Sequence, residues 1–225
     1  AACALALAEA GCSVAIAGRR EQPLAETARK FAGVPPIRFH TADVGKREDV
    51  TALFAWAAEK LGPIGILINS AGTNVVERKM EELSPDDWDH ILRVNVTGVY
   101  DCMREVLPQM RERQDGLIVN INSVAGIRGS VLGGVAYSAS KFAMTALGRT
   151  VAIEEKDRGI RVTNVYPGEV ETPILDHRPV PVSAEHRARI LQPEDVAAAV
   201  LMIAKLPPRA HISDLVIKPT TQPHA

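Results

Sequence analysis

The chain has 225 residues, and its 26 lysines and arginines against 27 aspartates and glutamates leave a net charge of −1. An apolar share of 46% with 24% charged residues is typical of a single globular domain and excludes a disordered chain. Because no basic cluster is present and aromatic residues make up only 4%, the composition argues against a nucleic-acid partner.

The sequence indicates neither a membrane protein nor a secreted one. No apolar run reaches the roughly 20 residues of a membrane span, and no signal peptide leads the chain. Cys3, Cys12 and Cys102 have no CxxC spacing, and the six histidines form no pair at ligand spacing. We therefore expect no metal site, no disulfide framework, no membrane partner and a cytoplasmic location.

Helices and short apolar strands alternate in the first part of the chain. Residues 1–10 are predicted to form a helix that ends at Gly11, a residue type that suits the left-handed conformation after a last helical turn. Apolar residues three and four positions apart predict a helix at 46–61. The remaining elements predicted here are a strand at 13–17, a helix at 22–32, and strands at 37–39 and 64–68.

The same alternation continues along the rest of the chain. Ser84 as a cap and Pro85 in the first turn predict a helix that runs, with a bend, to about Arg113. Residues 169–192 are irregular and rich in proline, and a segment of this length is expected to form a functional lid. The other predicted elements are strands at 116–121, 160–166 and 215–217 and helices at 136–156 and 193–205.

Short, continuous apolar strands that alternate with helices indicate a parallel sheet covered by helices on both faces. We therefore predict an α/β fold with a doubly wound parallel sheet, formed as a single domain by residues 1–225. Such a fold opens with a strand and a glycine-rich turn before its first helix, whereas Ala1 already begins a helical pattern. We expect that about twenty residues carrying that first strand and turn precede Ala1.

Tyr137 and Lys141, in the segment YSASK, are the sharpest signal for chemistry. Residues four apart lie on one face of a helix, so the phenol and the ammonium project to the same side. A nearby ammonium stabilises a phenolate and lowers a tyrosine pKa that otherwise lies near 10. Tyr137 is therefore a candidate general acid and base for a carbonyl or an alcohol, although a YxxxK pair alone is also common on protein surfaces.

Polar residues at the ends of predicted strands add context to this pair. Ser123 follows strand 116–121 at its carboxyl end, where parallel sheets bind ligands. Its hydroxyl could orient a substrate oxygen, or it could simply cap the loop. Asn69 ends the strand that begins at 64, and Asn95 lies inside a predicted helix although asparagine is a poor helix former.

Together these segments resemble the short-chain dehydrogenase/reductase family of the classical type. The resemblance rests on YSASK at 137–141, NSVAG at 122–126, NSAG at 69–72, RVNVTG at 93–98 and YPG at 166–168, in the family's order along the whole chain. It implies a Rossmann-like domain that binds a nicotinamide cofactor. Two departures are the family's glycine-rich TGxxxGxG loop, which is not among these residues, and NSAG in place of the commoner NNAG.

The resemblance also implies a role for each member of a catalytic tetrad. Tyr137 would be the general acid and base, and Ser123 would hold the carbonyl oxygen. Lys141 would bind the nicotinamide ribose and lower the pKa of Tyr137, and Asn95 would hold a water molecule in a proton relay. The cofactor side of the site would further include Asn69, Ala71, Gly72, Pro167 and Gly168.

The turn Gly18-Arg19-Arg20 favours NADP(H) over NAD(H). Folds that use NAD place an acid after the second strand to bind the ribose 2′-OH, and folds that use NADP place arginine nearby. Here no carboxylate occupies the turn, and two guanidiniums are available for a 2′-phosphate. The alternative is that Arg19 and Arg20 are ordinary surface charges.

Two further pairs resemble family positions that contact the cofactor. Asp43 and Val44 resemble the pair that contacts the adenine, although Asp43 could instead cap the helix that starts near Lys46. Val170 and Thr172 resemble the positions that hold the carboxamide and fix which face of the ring transfers hydride, although Thr172 could instead cap the following helix.

The sequence is less informative about the substrate and the assembly. Residues 125–135 and the lid are expected to form the pocket walls, where Arg128 could meet a substrate carboxylate or face solvent. The segment 212–220 lacks the family's common VDGG ending and resembles the branch with 3-hydroxy-acid and serine dehydrogenases and some NADP-linked carbonyl reductases. The resemblance also implies a homodimer or homotetramer that pairs helices 96–113 and 136–156, with an apolar face that core burial could equally explain.

The leading interpretation is an NADP(H)-dependent oxidoreductase that interconverts a small carbonyl compound and a secondary alcohol. One alternative is a 3-oxoacyl-carrier-protein reductase, which would need a basic docking patch near the cleft. Another is a non-catalytic NADP-binding regulatory protein of the same fold, and a third is a shortened, inactive product. The intact tetrad favours an enzyme over a regulator.

Overall fold

Helices and parallel strands alternate along residues 1–222, which are the part of the chain that the computed structural model describes. The first half contains α1 (Ala2–Glu9), β1 (Ala15–Gly18), α2 (Glu21–Arg29), β2 (Arg38–Thr41), α3 (Arg47–Leu61), β3 (Ile66–Asn69) and α4 (Pro85–Leu92). The second half contains α5 (Gly98–Arg113), β4 (Gly116–Ile121), α6 (Val135–Glu155), β5 (Ile160–Pro167), α7 (Ala184–Arg187), α8 (Pro193–Ala204) and β6 (Asp214–Ile217). The helices and strands predicted from the sequence are confirmed, and their ends differ by at most three residues from those in the structure.

All strand pairs among the described residues are parallel, and they form two groups. One group pairs β1 with β2, and the other has the order β3-β4-β5-β6. The carboxyl ends of β3, β4 and β5 therefore lie at one edge of the larger group. The expectation of a further strand before Ala1 stays a prediction.

Helices cover both faces of the sheet, as the doubly wound prediction requires. Ile118 of β4 packs against α3, α5 and α6, in a cluster with Phe54 and Met103. Its neighbours on the strand point the other way, and Val119 packs in a cluster with Val200 of α8. Each fully buried aliphatic side chain of this kind contributes roughly 1.5–3 kcal/mol, so the alternation along β4 holds both helical layers on one sheet.

The helix ends follow the local sequence. Gly11 takes a φ of +90° after α1, and the N–H of Cys12 donates to the carbonyl of Leu7 at 3.0 Å, which is a glycine-dependent C-terminal motif. Ser84 accepts from the N–H of Asp87 at 3.1 Å and so caps α4. The bend predicted before Arg113 is a single π-helical turn, Arg93–Thr97, that separates α4 from α5.

Residues 169–192, which are predicted to form a lid and keep that name below, contain more regular structure than their sequence predicts. A 3₁₀ turn covers Pro173–His177, and α7 forms a short helical turn behind it. Val170 forms a parallel bridge with Leu191, so the two ends of the lid are tied together at its base. The segment is therefore a loop whose two ends are joined, and its role as a lid stays a prediction.

The apolar face of α5 contributes to the core of the subunit. Val99, Met103 and Leu107 are buried, whereas Tyr100 is 44% exposed. Core burial therefore accounts for most of the face that the sequence associated with subunit pairing. Among residues 1–222, no helix has the length and apolar character to cross a membrane, and no group of three or more metal-binding side chains occurs.

A ladder of asparagines crosses the middle of the larger sheet. Asn69, Asn120 and Asn164 are direct partners in the register of β3, β4 and β5. Asn69 Nδ2 donates to Asn120 Oδ1 at 3.0 Å, and Asn120 Nδ2 donates to Asn164 Oδ1 at 2.9 Å. Gly148 of α6 lies directly over this ladder, because a Cβ at Gly148 would lie 2.8 Å from Asn120 Nδ2 and closer still to Asn164.

We expect Gly148→Ala to lower the free energy of unfolding by about 1–3 kcal/mol, because the added methyl group overpacks the ladder and pushes α6 from the sheet. The midpoint of urea unfolding measures this change. Gly65→Ala is the matched control, since a Cβ there meets nothing within 4 Å. Equal midpoints for the two variants would contradict close packing of α6 over the asparagines.

Candidate active site

The predicted catalytic residues converge at the carboxyl edge of β3, β4 and β5. Ser123 follows β4 by two residues, and Tyr137 lies in the first turn of α6, which crosses the same edge. The hydroxyl of Ser123 lies beside the phenol of Tyr137 and acts to lower the pKa of the phenol. Ser123 Oγ also accepts from the N–H of Ala125 at 3.1 Å, so the capping alternative and the contact with Tyr137 both hold for this residue.

Tyr137 is half-buried, and its surroundings act on its pKa in opposite directions. Burial raises the pKa of the phenol and is the largest effect. The hydroxyl of Ser123 and the charge of Arg78 lower the pKa. The phenol is therefore held as a proton donor beside groups that stabilise its ionised form.

Lys141 lies one turn after Tyr137 and is 3% exposed. Its Nζ is 5.6 Å from the centre of the Tyr137 ring and donates to the carbonyl of Ile121 at 3.1 Å. Burial lowers the pKa of this amine to about 8. The predicted common face of the two side chains is confirmed, and it places a buried cation beneath the phenol.

Asn95 sits at the centre of the π-helical turn and is fully buried. Its Oδ1 accepts from the N–H of Thr73 at 2.8 Å, and its Nδ2 donates to Thr73 O and Ser140 Oγ, each at 3.0 Å. Ser140 in turn donates to the carbonyl of Tyr137 at 2.7 Å. Asn95 thus joins the loop after β3 to the first turns of α6.

Ala71 and Gly72 are exposed at the end of β3. A Cβ at Gly72 would lie 3.7 Å from Asn95 Oδ1 and 3.8 Å from Lys141 Nζ, so this loop runs directly beside the cluster. Asn69 is different from these two residues, because it is buried and belongs to the asparagine ladder. Its side chain therefore holds the end of the strand in place.

The turn after β1 carries two exposed arginines. Gly18 ends β1, and Arg20 immediately precedes α2. Among the residues that the structure describes, neither Arg19 nor Arg20 forms an ion pair, and both side chains are free for an anionic ligand.

Asp43 does not cap α3, so that alternative is wrong. The helix begins at Arg47 with no side-chain cap. Asp43 Oδ1 accepts instead from the N–H of Gly45 at 2.9 Å, and the N–H of Asp43 donates to Asp49 Oδ2 at 2.9 Å. The aspartate therefore forms a local turn with Val44 at its tip, on the edge of the sheet beyond β2.

The capping alternative for Thr172 is also wrong. Thr172 precedes the 3₁₀ turn of the lid without a side-chain cap, and its hydroxyl lies 3.5 Å from the carbonyl of Val170. Pro167 ends β5, and the N–H of Gly168 donates to the carbonyl of Ile217 at 2.7 Å. The turn from the sheet into the lid is thus fixed by β6.

Arg78 is the residue near Tyr137 that the sequence did not single out. It is only 6% exposed, and its side chain donates to backbone carbonyls of three different segments. One arginine in a loop between predicted elements carries no periodic or motif signal, which explains why it was missed. Arg128, which the sequence analysis considered as a contact for a substrate carboxylate, is half-buried and forms no ion pair among the described residues.

Comparison with known proteins identifies the family. A family model for the short chain dehydrogenases matches residues 1–180. Farnesol dehydrogenase of Aedes aegypti is 34% identical over 222 residues, which cover 95% of this chain and 88% of that protein.

Solved structures agree with this match. An alcohol dehydrogenase from the archaeon Thermococcus sibiricus, complexed with 5-hydroxy-NADP, superposes with a TM-score of 0.88 at 26% identity, over 100% of this chain and 93% of its own. The closed form of a serine dehydrogenase complexed with NADP⁺ superposes with a TM-score of 0.87 at 28% identity, over 96% and 89% of the two chains. With the family model covering most of its length, this chain belongs to the short-chain dehydrogenase family of oxidoreductases.

Proposed function

We propose that this protein is an NADP(H)-dependent oxidoreductase that interconverts a small carbonyl compound and a secondary alcohol, with Tyr137 as the general acid and base. The observation that carries the proposal is the cluster at the carboxyl edge of the sheet. There the Ser123 hydroxyl acts on the Tyr137 phenol, and the Tyr137 ring lies over the buried amine of Lys141. Parallel α/β sheets bind their ligands at this edge.

The residues present fit a nicotinamide cofactor. The exposed loop at Ala71 and Gly72 leaves room beside the Lys141 amine, where a ribose hydroxyl would find a donor. Arg19 and Arg20, which form no ion pair within residues 1–222, offer two guanidiniums beyond β1 that suit a 2′-phosphate. When bound, the cofactor supplies or accepts the hydride; orientation and proton transfer belong to the protein.

In carbonyl reduction, Ser123 Oγ and Tyr137 Oη both hold the carbonyl oxygen of the substrate. As hydride arrives at the carbonyl carbon, the oxygen gains negative charge and takes the proton of Tyr137 Oη. The phenolate left behind is stabilised by the hydrogen bond from Ser123 and by the Lys141 cation. Alcohol oxidation runs these proton steps in reverse, with the phenolate accepting the hydroxyl proton.

A broad substrate screen tests the proposal. Purified protein is offered NADPH or NADH with a pool of aldehydes, ketones and oxo acids, and cofactor consumption is followed. Turnover with NADPH supports the proposal, and subdividing the pool then identifies the substrate. Tight NADPH binding without turnover on any pool, in either direction, would instead favour a regulatory protein of the same fold.

We expect the double substitution Arg19→Ala/Arg20→Ala to raise KM for NADPH about 10- to 100-fold, because losing the charge-assisted hydrogen bonds from these two exposed side chains to a phosphate weakens binding by about 1.5–3 kcal/mol in total. Steady-state kinetics with varied cofactor measure this. KM for NADH should change little, since NADH lacks the 2′-phosphate. Arg29→Ala, an exposed arginine on α2, is the control, and equal losses with both cofactors would contradict a 2′-phosphate site.

We also propose that the chain forms a homodimer or homotetramer through the outer faces of α5 and α6. Tyr100 on α5 and Phe142 and Ile153 on α6 are exposed by 44%, 45% and 69%. Large apolar side chains exposed on adjacent helices are typical of subunit contacts. This support is independent of the buried residues of α5, which belong to the core.

A further inference from the structure

We infer that Arg78 is a positioning residue that holds the lid, residues 169–192, in place over Tyr137. The inference rests on the proposed function, because it assigns Arg78 a part in the reaction at that site. Three observations carry it: the carbonyls that the guanidinium binds, the packing of Arg78 against the start of α6, and its charge beside the phenol.

The guanidinium joins three loops at the carboxyl edge of the sheet. Its Nε donates to the carbonyl of Val76 at 3.3 Å, within the loop after β3. Its Nη1 donates to the carbonyl of Leu132 at 3.0 Å, in the loop between β4 and α6. Its Nη2 donates to the carbonyl of His177, the last residue of the 3₁₀ turn in the lid. A planar group with several fixed donors suits such a junction, and a lysine ammonium does not.

The backbone of Arg78 is equally well fixed against the start of α6. Its carbonyl accepts from the N–H of Val135, the first residue of the helix, at 3.2 Å. Gly134 takes a φ of +81°, and a Cβ there would lie 2.5 Å from Arg78 Cβ. Asn74 Nδ2 adds a bond to the carbonyl of Gly133 at 3.0 Å. Arg78 is therefore held rigidly relative to Tyr137, which lies three residues after Gly134.

The charge of Arg78 is not neutralised by a carboxylate. Within residues 1–222 its side chain forms no ion pair, and it is 6% exposed. Arg178 of the lid and Tyr137 are the titratable groups that act on it most strongly, and Arg178 is itself paired with Glu169 at 3.1 Å. Burial and the charge of Arg178 both lower the pKa of the Arg78 guanidinium, and Tyr137 raises it.

These contacts give Arg78 two separable effects. Its bond to His177 sets where the lid closes, which governs substrate binding and therefore KM. Its positive charge favours the ionised form of Tyr137, which governs the pH at which the phenol changes protonation state. Replacing an arginine with a purely structural role would change KM and the pH profile only through a loss of protein stability.

Two substitutions distinguish the effects. Arg78→Lys keeps a cationic group but cannot reach three carbonyls, so KM for the substrate should rise several-fold while the pH profile moves less than in a variant without a basic group. Arg78→Met removes the charge as well, so the acidic limb of the pH profile for alcohol oxidation should also move upward by roughly one pH unit. Lys79→Met is the control, because Lys79 is exposed and its side chain pairs with Glu82 on the surface.

Tryptic cleavage of the lid provides a readout that does not depend on turnover. The lid offers trypsin Arg187 and Arg189, since Arg178 precedes Pro179 and is not cleaved, and loss of the His177 contact should speed cleavage at these two sites several-fold in both Arg78 variants. An inactive wild-type protein whose lid is cleaved faster in the variants would overturn the proposed function but not the lid contact. Wild-type values of KM, pH profile and cleavage rate in both variants would overturn the inference.

Discussion

Tyr137→Phe is expected to lower kcat for carbonyl reduction by roughly 10²–10⁴-fold, which is the range that a positioned general acid contributes. The change removes one oxygen and leaves the ring, so the aromatic surface above Lys141 remains. Without the phenol, the developing oxyanion has no proton donor, and Ser123 alone must hold it. NADPH consumption in the presence of a substrate found by the pooled screen measures the loss.

Binding of NADPH should change much less than kcat in this variant. The contacts proposed for the cofactor come from Lys141, from the loop at Ala71 and Gly72, and from the two arginines after β1. Fluorescence titration of NADPH therefore separates loss of proton transfer from loss of the binding site. Tyr100→Phe, on the exposed face of α5, is the matched control and should retain wild-type kcat.

If the Tyr137→Phe protein has a kcat near that of the wild type, the proton donor is a group other than Tyr137. If the wild-type protein binds NADPH and turns over no carbonyl or alcohol, the result favours a non-catalytic, NADP-binding regulatory protein. The two results are distinct, because the first requires measurable activity and the second requires its absence.

The parts of the site that the sequence predicted are those set by short-range geometry. Tyr137 and Lys141 share a face because residues four apart on a helix must do so. Ser123 and Asn69 were placed correctly because strand ends can be located from apolar runs, and parallel strands end at one edge. Asn95 stood out only as a poor helix former inside a helix expected to bend, and the structure places it in the π-helical turn between α4 and α5.

The parts that the sequence missed depend on tertiary contacts or on competition between local hydrogen bonds. Two of the hydrogen-bond partners of Arg78 lie 54 and 99 residues further along the chain, and the sequence around Arg78 contains no pattern that predicts these contacts. Asp43 was a plausible helix cap, but an aspartate can bond to the amide two residues ahead as readily as to a helix terminus. Thr172 illustrates the same ambiguity. Whether an aspartate, asparagine or threonine caps a helix is therefore decided by the turn seen in the structure and not by the residue type alone.

Lys141→Met is expected to abolish activity and yet to stabilise the cofactor-free protein at neutral pH. Burial lowers the pKa of this amine from 10.5 to about 8. At pH 7 the amine is charged in both states, and its charge has a higher free energy in the folded protein than in the unfolded chain. Removing that charge should raise the free energy of unfolding by up to about 3 kcal/mol at pH 7. Methionine keeps the length of the side chain, so the buried volume stays filled. Thermal unfolding without cofactor measures the gain.

The pH dependence of this gain identifies its origin. Between pH 8 and 10.5 the unfolded wild-type chain binds a proton at Lys141 that the folded chain has lost, so wild-type stability rises with pH across this window. The variant lacks this group, and both proteins share the tyrosines, so the advantage of Lys141→Met should shrink from pH 7 toward pH 10.5. Lys156→Met, at an exposed position after α6, should show no such convergence.

A variant less stable than wild type at pH 7 would mean that the bond from Nζ to the Ile121 carbonyl outweighs the cost of burying the charge. The expected result has the opposite sign, because one hydrogen bond to a neutral carbonyl contributes about 1.5–3 kcal/mol from a charged donor and leaves the rest of the ammonium unsolvated. If the variant is more stable, as expected, Lys141 lowers the stability of the folded protein and serves the phenolate and the cofactor instead. This is expected of a group placed for chemistry rather than for folding.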